Sequence, residues 1–305
     1  MNNHVNAIGE IGAESRPAVT SAISPTQRFY WSIRRELWEN RSLYVAPLAI
    51  AAVALIAFSL SSIVGIWETP LSLNPAKPHG PYNLAAGLMM LTGIVVSMFY
   101  CADALHGERR DRSILFWKSL PVSDTTTVLS KACIPLVVLP LLIFAIAFAL
   151  QWLMLLVSSA VLFVSGKSVA ELWRNLSFFR MTWLLLYHLL TAHALWPLPV
   201  YCWLLLVSGW ARRATFLWAT LPVIAIGGVE RLVFGTWHFA TLVGSRLIGN
   251  LATGATTSSD AFPTDPMTHV HASHFLGNPA LWLGFVIAAV FLFAAIRLRH
   301  SQGPI

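Results

Sequence analysis

Six long apolar runs, set apart by polar connectors, dominate the hydropathy pattern of the chain. They cover residues about 44–67, 84–103, 132–160, 181–209, 215–235 and 279–297. A helix crossing the hydrocarbon core of a bilayer needs about 20 apolar residues, and each run reaches or nearly reaches that length. The pattern predicts an all-α integral membrane protein with six transmembrane helices. The third and fourth runs are longer than one crossing requires. Pro135 and Pro140 in the third, and Pro197 and Pro199 in the fourth, predict kinks or tilt.

A different periodicity precedes the first run. From Ser24-Pro25 to about Ser42 the spacing is helical, with Pro25 suited to a first helical position. Phe29, Tyr30, Trp31, Ile33, Leu37 and Trp38 cover one side, and Arg28, Ser32, Arg35, Glu36 and Glu39 the other. Arg34 is the exception, a cation on the aromatic side. This is the pattern of an amphipathic helix lying in the membrane interface. Residues 1–24 are mostly polar or small and lack an apolar h-region. They are expected to form a disordered cytoplasmic tail, with no cleavable signal peptide. Residues 25–305 then make a single transmembrane domain.

Composition agrees with the pattern. Of 305 residues, 56% are hydrophobic and 11% charged, against roughly 25% charged in soluble domains. The formal charge of +7 follows the connectors rather than one face, which argues for a membrane and against a nucleic-acid partner. Cys101, Cys133 and Cys202 lie in or beside apolar runs, with no spacing that implies disulfides or zinc.

Lys and Arg counts set the expected orientation. An inside N terminus places Arg16, Arg28, Arg34, Arg35, Arg41, Arg109, Arg110, Arg112, Lys118, Lys131, Arg212, Arg213, Arg297 and Arg299 in the cytoplasm. Lys77, Lys167, Arg174, Arg180 and Arg246 fall outside, and Arg231 lies within a span. Fourteen against five is a clear positive-inside bias. Both termini are expected in the cytoplasm.

The connector from Leu105 to Lys131 holds eight charges in an otherwise oily chain. No breaker follows Gly107, so the second span is expected to continue as helix through Arg109–Lys118. Leu120-Pro121 stops it, because a residue before proline is pushed out of the α region. Ser123 is a suitable N-cap for the helix leading into the third span. Ile114 to Trp117 would then sit on an exposed corner rimmed by Arg and Lys, as docking surfaces do.

The run E-R-R-D-R-S-I-L-F-W-K-S-L-P-V-S, with a lysine at the mouth of the next span, resembles the ABC transporter permeases of the type-2 exporter group. The matching positions are Glu108 and Arg109; Ile114 to Trp117; Ser119, Leu120, Pro121 and Ser123; and Lys131. The six-span plan and the amphipathic helix before the first span are similar too. The resemblance implies a permease subunit in a bacterial-type cytoplasmic (inner) membrane, paired with a second permease subunit, identical or related. It also implies cytoplasmic ABC ATPase subunits, which would carry ATP and Mg, and no cofactor on this chain. In that reading the corner is a coupling helix. Trp117 and Leu120, beside Phe116, form its apolar plug, while Arg109 and Arg112 meet acidic groups on the ATPase rim.

No ATPase domain is expected on this chain. Its one hint, G-K-S at Gly166–Ser168, has Val161 where a phosphate loop needs its first glycine. Two alternative functions use other residues or the same corner: a membrane-embedded enzyme, and a non-transporting membrane anchor for a cytoplasmic complex. Glu230 and Arg231 are intramembrane charges, which by default mark function; they either line a translocation path or anchor the helix, with Arg231 snorkelling outward. Gly227-Gly228 just before them offers a bend. His188 and His193 lie five apart, not the four that aligns two ligands on an α-helical face, and are expected to make core contacts; the alternatives are a place on an intramembrane path or, with Glu230, in the membrane-embedded enzyme. No H-E-x-x-H or G-x-S-x-G signature occurs. The segment 236–278 is expected to hold a short helix on the outer surface, then a loop with His269, His271 and His274. Those histidines, with Asp260, Asp265 and His238, fit no closed metal site.

Overall fold

The structure is a computed structural model that describes residues 24–64, 80–111, 123–248 and 272–301. These residues are almost entirely helical, and no strand occurs among them. Pro25–Glu39 forms α1, Ser42–Val64 α2 and Gly80–Asp103 α3. A turn at Ala104-Leu105 leads to α4, His106–Arg110, and Asp111 ends it. The second span continues to Arg110 as expected, with a two-residue turn between α3 and α4, and residues 112–122 lie outside the described residues. The corner residues Arg112, Phe116, Trp117, Ser119, Leu120 and Pro121 belong to that stretch.

Asp124–Cys133 forms α5, which passes through a π-helical turn, Ile134–Val138, into α6, Leu139–Val164. α7 is Val169–Asn175 and α8 is Phe178–His188. A second π-helical segment, Leu189–Leu195, precedes α9, Leu198–Trp210. Then come α10 (Thr215–Phe234), α11 (His238–Ile248), α12 (Ala272–Gly277) and α13 (Pro279–Ser301). Five helices are long and apolar enough to cross a membrane, and six if the bent pair 178–195 and 198–210 is one span. The chain thus has the helices of a multi-pass membrane protein.

Local chemistry explains the ends and breaks. Ser24 caps α1: its Oγ accepts from Gln27 N at 3.2 Å while the Gln27 side chain accepts from Ser24 N, with Pro25 at the first turn. Ser123 Oγ accepts from Thr126 N at 3.1 Å and starts α5 as the sequence predicts. Of the two proline-marked sites, one shows a sharp bend. Pro135 lies in the first π-helical turn, within a helix that runs as one from Asp124 to Val164, and the helix pair 178–195 and 198–210 bends by 46° at Trp196-Pro197. Pro197 has no N–H, so His193 O loses its usual helical partner; Tyr201 Oη donates to it at 3.1 Å instead.

The core is built where α2, α3, α6 and the α8–α9 segment meet, around Phe58, Tyr82, Met89, Ile143, Met154 and Tyr201. Tyr82 Oη and Ser158 Oγ, 3.2 Å apart, pin α3 to α6 at the end away from the charges. Leu105, Val128 and Ala295 form a second, small cluster at the charged end. Most other large apolar side chains on α2, α10 and α13 face outward, as lipid-facing helices do.

Two expectations change in the 227–248 region. α10 runs unbroken through Gly227-Gly228, so that pair does not unwind the span. A Cβ on Gly227 would lie 3.8 Å from Ala240 Cβ, an ordinary contact, so α11 packs over this position without needing a glycine there. The helix after α10 does not lie alone on a surface: Gly235, at φ +69, reverses the chain, and α11 runs back alongside α10.

Candidate functional site

At the charged end of the bundle, three carboxylates and three cations form a cluster in which Glu36, Glu108, Lys131 and Arg299 are buried and Arg35 and Asp124 partly so. Glu36 is fully buried and Lys131 is 2% exposed. Lys131 Nζ lies 2.7 Å from Glu36 Oε1 and 3.1 Å from Glu108 Oε1. Arg35 Nη2 contacts the same two oxygens at 2.7 and 3.1 Å. Arg299 binds Glu108 Oε2 through Nη1 and Asp124 Oδ1 through Nε at 3.1 Å. Tyr100 donates its hydroxyl to Glu36 Oε2 at 2.9 Å. Each acid thus meets at least one cation, the arrangement that offsets the desolvation of buried charge.

The sequence brings these groups together in a simple way. Glu36 lies on the α1 face shared with Phe29 and Ile33, so it turns into the protein where α1 packs on α5. Glu108 sits in the short helix beyond the turn at Ala104-Leu105. Lys131 stands on α5 at the entry to the third span, and Arg299 is in the last turn of α13. One cluster therefore ties the amphipathic helix to three spans. Burial opposes ionisation of Glu36, but the Lys131 ammonium and the Arg35 guanidinium overcome it and hold its carboxyl below the ordinary value of 4.5. A carboxyl with a lowered folded value stabilises above its unfolded value, and that contribution is lost as pH falls through the folded value. Acid unfolding of the wild type is expected to show this loss below about pH 4.5, and Glu36→Gln to flatten it; an identical acid limb in both would refute the assignment.

Of the residues singled out in the connector, Glu108 and Lys131 are brought together inside the protein. Arg109 departs from the expectation that it meets an outside partner. It is buried and donates through Nη1 to Gly209 O at 2.6 Å and Ala211 O at 3.4 Å. Those carbonyls end α9 and lack helical donors, and a cation there also meets the negative pole of the helix. His106 Nδ1, 3.1 Å from Ala211 O, and Leu105 N, donating to Ser208 Oγ at 3.3 Å, complete the dock of α4 on α9.

The intramembrane candidates have separate roles. Glu230 is a helix cap: Oε1 accepts from Thr236 Oγ1 at 2.8 Å and His238 N at 2.7 Å, and Oε2 from Phe239 N at 2.8 Å. It meets the start of α11 rather than another span. Arg231 donates to Gly235 O and stacks over Trp237, 5.6 Å from the ring centre. Both contacts are on the anchoring side of the two readings. Ser168, from the G-K-S run, caps α7 through Glu171 N.

The spacing argument for His188 and His193 changes with the helix type. The π-helical segment between them has more residues per turn than an α-helix, so residues five apart come closer to one face. His188 Nδ1 lies 2.7 Å from Leu184 O, while both ring nitrogens of His193 are buried without a hydrogen-bond partner among the described residues. No group of three metal-ligating side chains occurs among the described residues; His269, His271, Asp260 and Asp265 lie outside them.

Sequence reasoning missed Glu36, Tyr100, Asp124 and Arg299. A usable signal existed for Glu36, which at helical spacing falls beside Phe29 and Ile33 rather than with the solvated acids. Tyr100 and Arg299 carry no such mark, since only packing brings them to α1 and α4. The chain matches no protein-family model, and no curated protein is detectably similar to it in sequence.

Proposed function

We propose that this chain is the membrane-spanning subunit of an ATP-binding-cassette exporter, with its charged end in the cytoplasm of a bacterial-type inner membrane. ATP, with Mg, is hydrolysed on separate ATPase subunits, and a second permease subunit completes the pathway. The observation that supports this reading most is the buried cluster. Glu108 and Asp124–Lys131 flank residues 112–122 on both sides, and both flanks are locked to α1 and to the end of α13. A push on the corner would reach four helical elements through rigid ionic contacts, as a coupling element requires. Arg109 supports the same role from inside, by fixing α4 on α9, rather than by touching the ATPase.

The test uses the full chain, affinity-purified in mild detergent from the membranes of its own host, with copurifying ATP hydrolysis measured. The triple substitution Trp117→Ala, Leu120→Ala, Pro121→Ala is expected to lower that activity more than tenfold at equal chain yield, because a few apolar anchors carry most of a docking interface. Undiminished activity would overturn the docking role.

A further inference from the structure

We propose that Trp31, Arg34 and Trp38 on α1 form a binding site for the phosphate of an anionic phospholipid headgroup. The proposal rests on α1 lying at the membrane interface, but not on the chain being an exporter. Arg34 is the cation that breaks the aromatic side of the helix in sequence. Its guanidinium carbon lies 5.1 Å from the Trp31 ring centre and 5.6 Å from that of Trp38. These residues stand at i−3 and i+4, so one helical face carries the three together.

The face has a definite direction. At 3.6 residues per turn, Trp31, Arg34 and Trp38 sit roughly opposite Glu36, which is buried against the protein. They lie between the polar edge of Arg35 and Glu39 and the apolar edge of Tyr30 and Leu37. In an interfacial helix that sector looks sideways from the protein, at headgroup depth. Trp31 is 55% and Trp38 71% exposed.

Charge complementarity selects the occupant. Arg35, the next residue, is used by Glu36, Glu39 and Glu108. Arg34 is exposed and pairs with no carboxylate among the described residues. Indole faces hold the guanidinium plane in place without neutralising it, so its N–H fork stays open. A planar fork of donors suits bidentate contact with a phosphate, and tryptophan rings are at home at headgroup depth. Exposed Arg41 adds positive charge just beyond the helix end.

Retention of phosphatidylglycerol by the full chain in detergent, titrated and read by native mass spectrometry, tests the site. Arg34→Gln is expected to weaken phosphatidylglycerol binding about fivefold, the effect of one basic residue near an anionic surface, and to leave phosphatidylcholine binding unchanged. Arg213→Gln removes another exposed charge, with no described ring stacked on it, and is expected to change binding less than twofold. Replacing both Trp31 and Trp38 by Leu, with Arg34 kept, is expected to weaken it at least threefold. Equal losses in the Arg34 and Arg213 variants would overturn the site in favour of general attraction. Displacement of the lipid by millimolar inorganic phosphate would assign the site to free phosphate. A change in subunit number rather than lipid count in Arg34→Gln would assign the face to a second copy. None of these readouts depends on ATPase copurification.

Discussion

Replacing Lys131 with methionine is expected to destabilise the chain by about 3 kcal/mol, the lower end of the cost of breaking a buried ion pair. The ammonium sits between Glu36 and Glu108, touching one oxygen of each. Without it, two carboxylates that share Arg35 lose the cation that separates their charges. The loss stops near the lower bound because Arg35 and Arg299 stay in contact with them. Adding Glu36→Gln to Lys131→Met restores the balance of charge and is expected to recover about half of the loss, since the interaction is shared within one network. Denaturant unfolding in detergent reads both variants. A single variant within about 1 kcal/mol of wild type would mean that water reaches the cluster and screens it.

Arg246→Met is expected to cost about 2–3 kcal/mol, the scale of hydrogen bonds made by a charged donor. Arg246, in the last turn of α11, donates to Trp196 O at 3.3 Å and to Ala280 O, and its guanidinium stacks 4.4 Å from the Trp196 ring centre. Trp196 returns the contact through Nε1 to Ser245 O at 2.8 Å. The carbonyl of Trp196 needs this donor because Val200 N turns instead to Pro197 O. One side chain thus holds the bend of the fourth span against the start of α13. Lysine cannot bridge two carbonyls with a planar fork, so Arg246→Lys is expected to keep less than half of the stabilisation. Gly284→Val attacks the same place from the other side, since a Cβ there would lie 2.7 Å from Arg246 Nη1 and 3.2 Å from Pro199 Cγ. Unfolding of Arg246→Met within 0.5 kcal/mol of wild type, on the roughly neutral scale of surface substitutions, would remove this clasp from the account.

The elements were readable because they depend on local chemistry. Apolar length sets the spans, Ser24-Pro25 and Ser123 mark helix starts, and Pro135 and Pro197 mark breaks; each acts within one or two turns of itself. The charge cluster was not readable, because it depends on which helix ends meet. Lys131 was noticed as part of a run and Glu36 as one of several polar-face residues, yet nothing in their spacing says that 95 residues of chain bring them to 2.7 Å. Arg109 misled for a related reason: a cation in a polar connector looks like surface until the end of α9 supplies carbonyls to bury it. His188 and the ring nitrogens of His193 are buried, as expected of core contacts, although the α-helical period used to separate them does not hold where the chain adopts a wider turn. Glu230 offered two readings, and the choice depended on a reversal at Gly235 that returns amide donors to the carboxylate.

The charge cluster also has an order of assembly. Arg35, Glu36, Glu108, Asp124 and Lys131 are all synthesised before Arg299, and those five hold three acids against two bases. Until Arg299 joins them, the site carries one surplus negative charge and Asp124 has no arginine. A site in that state favours staying hydrated over closing. Arg299 removes the surplus, so full pairing of this end requires α13 to be in place beside α4 and α5.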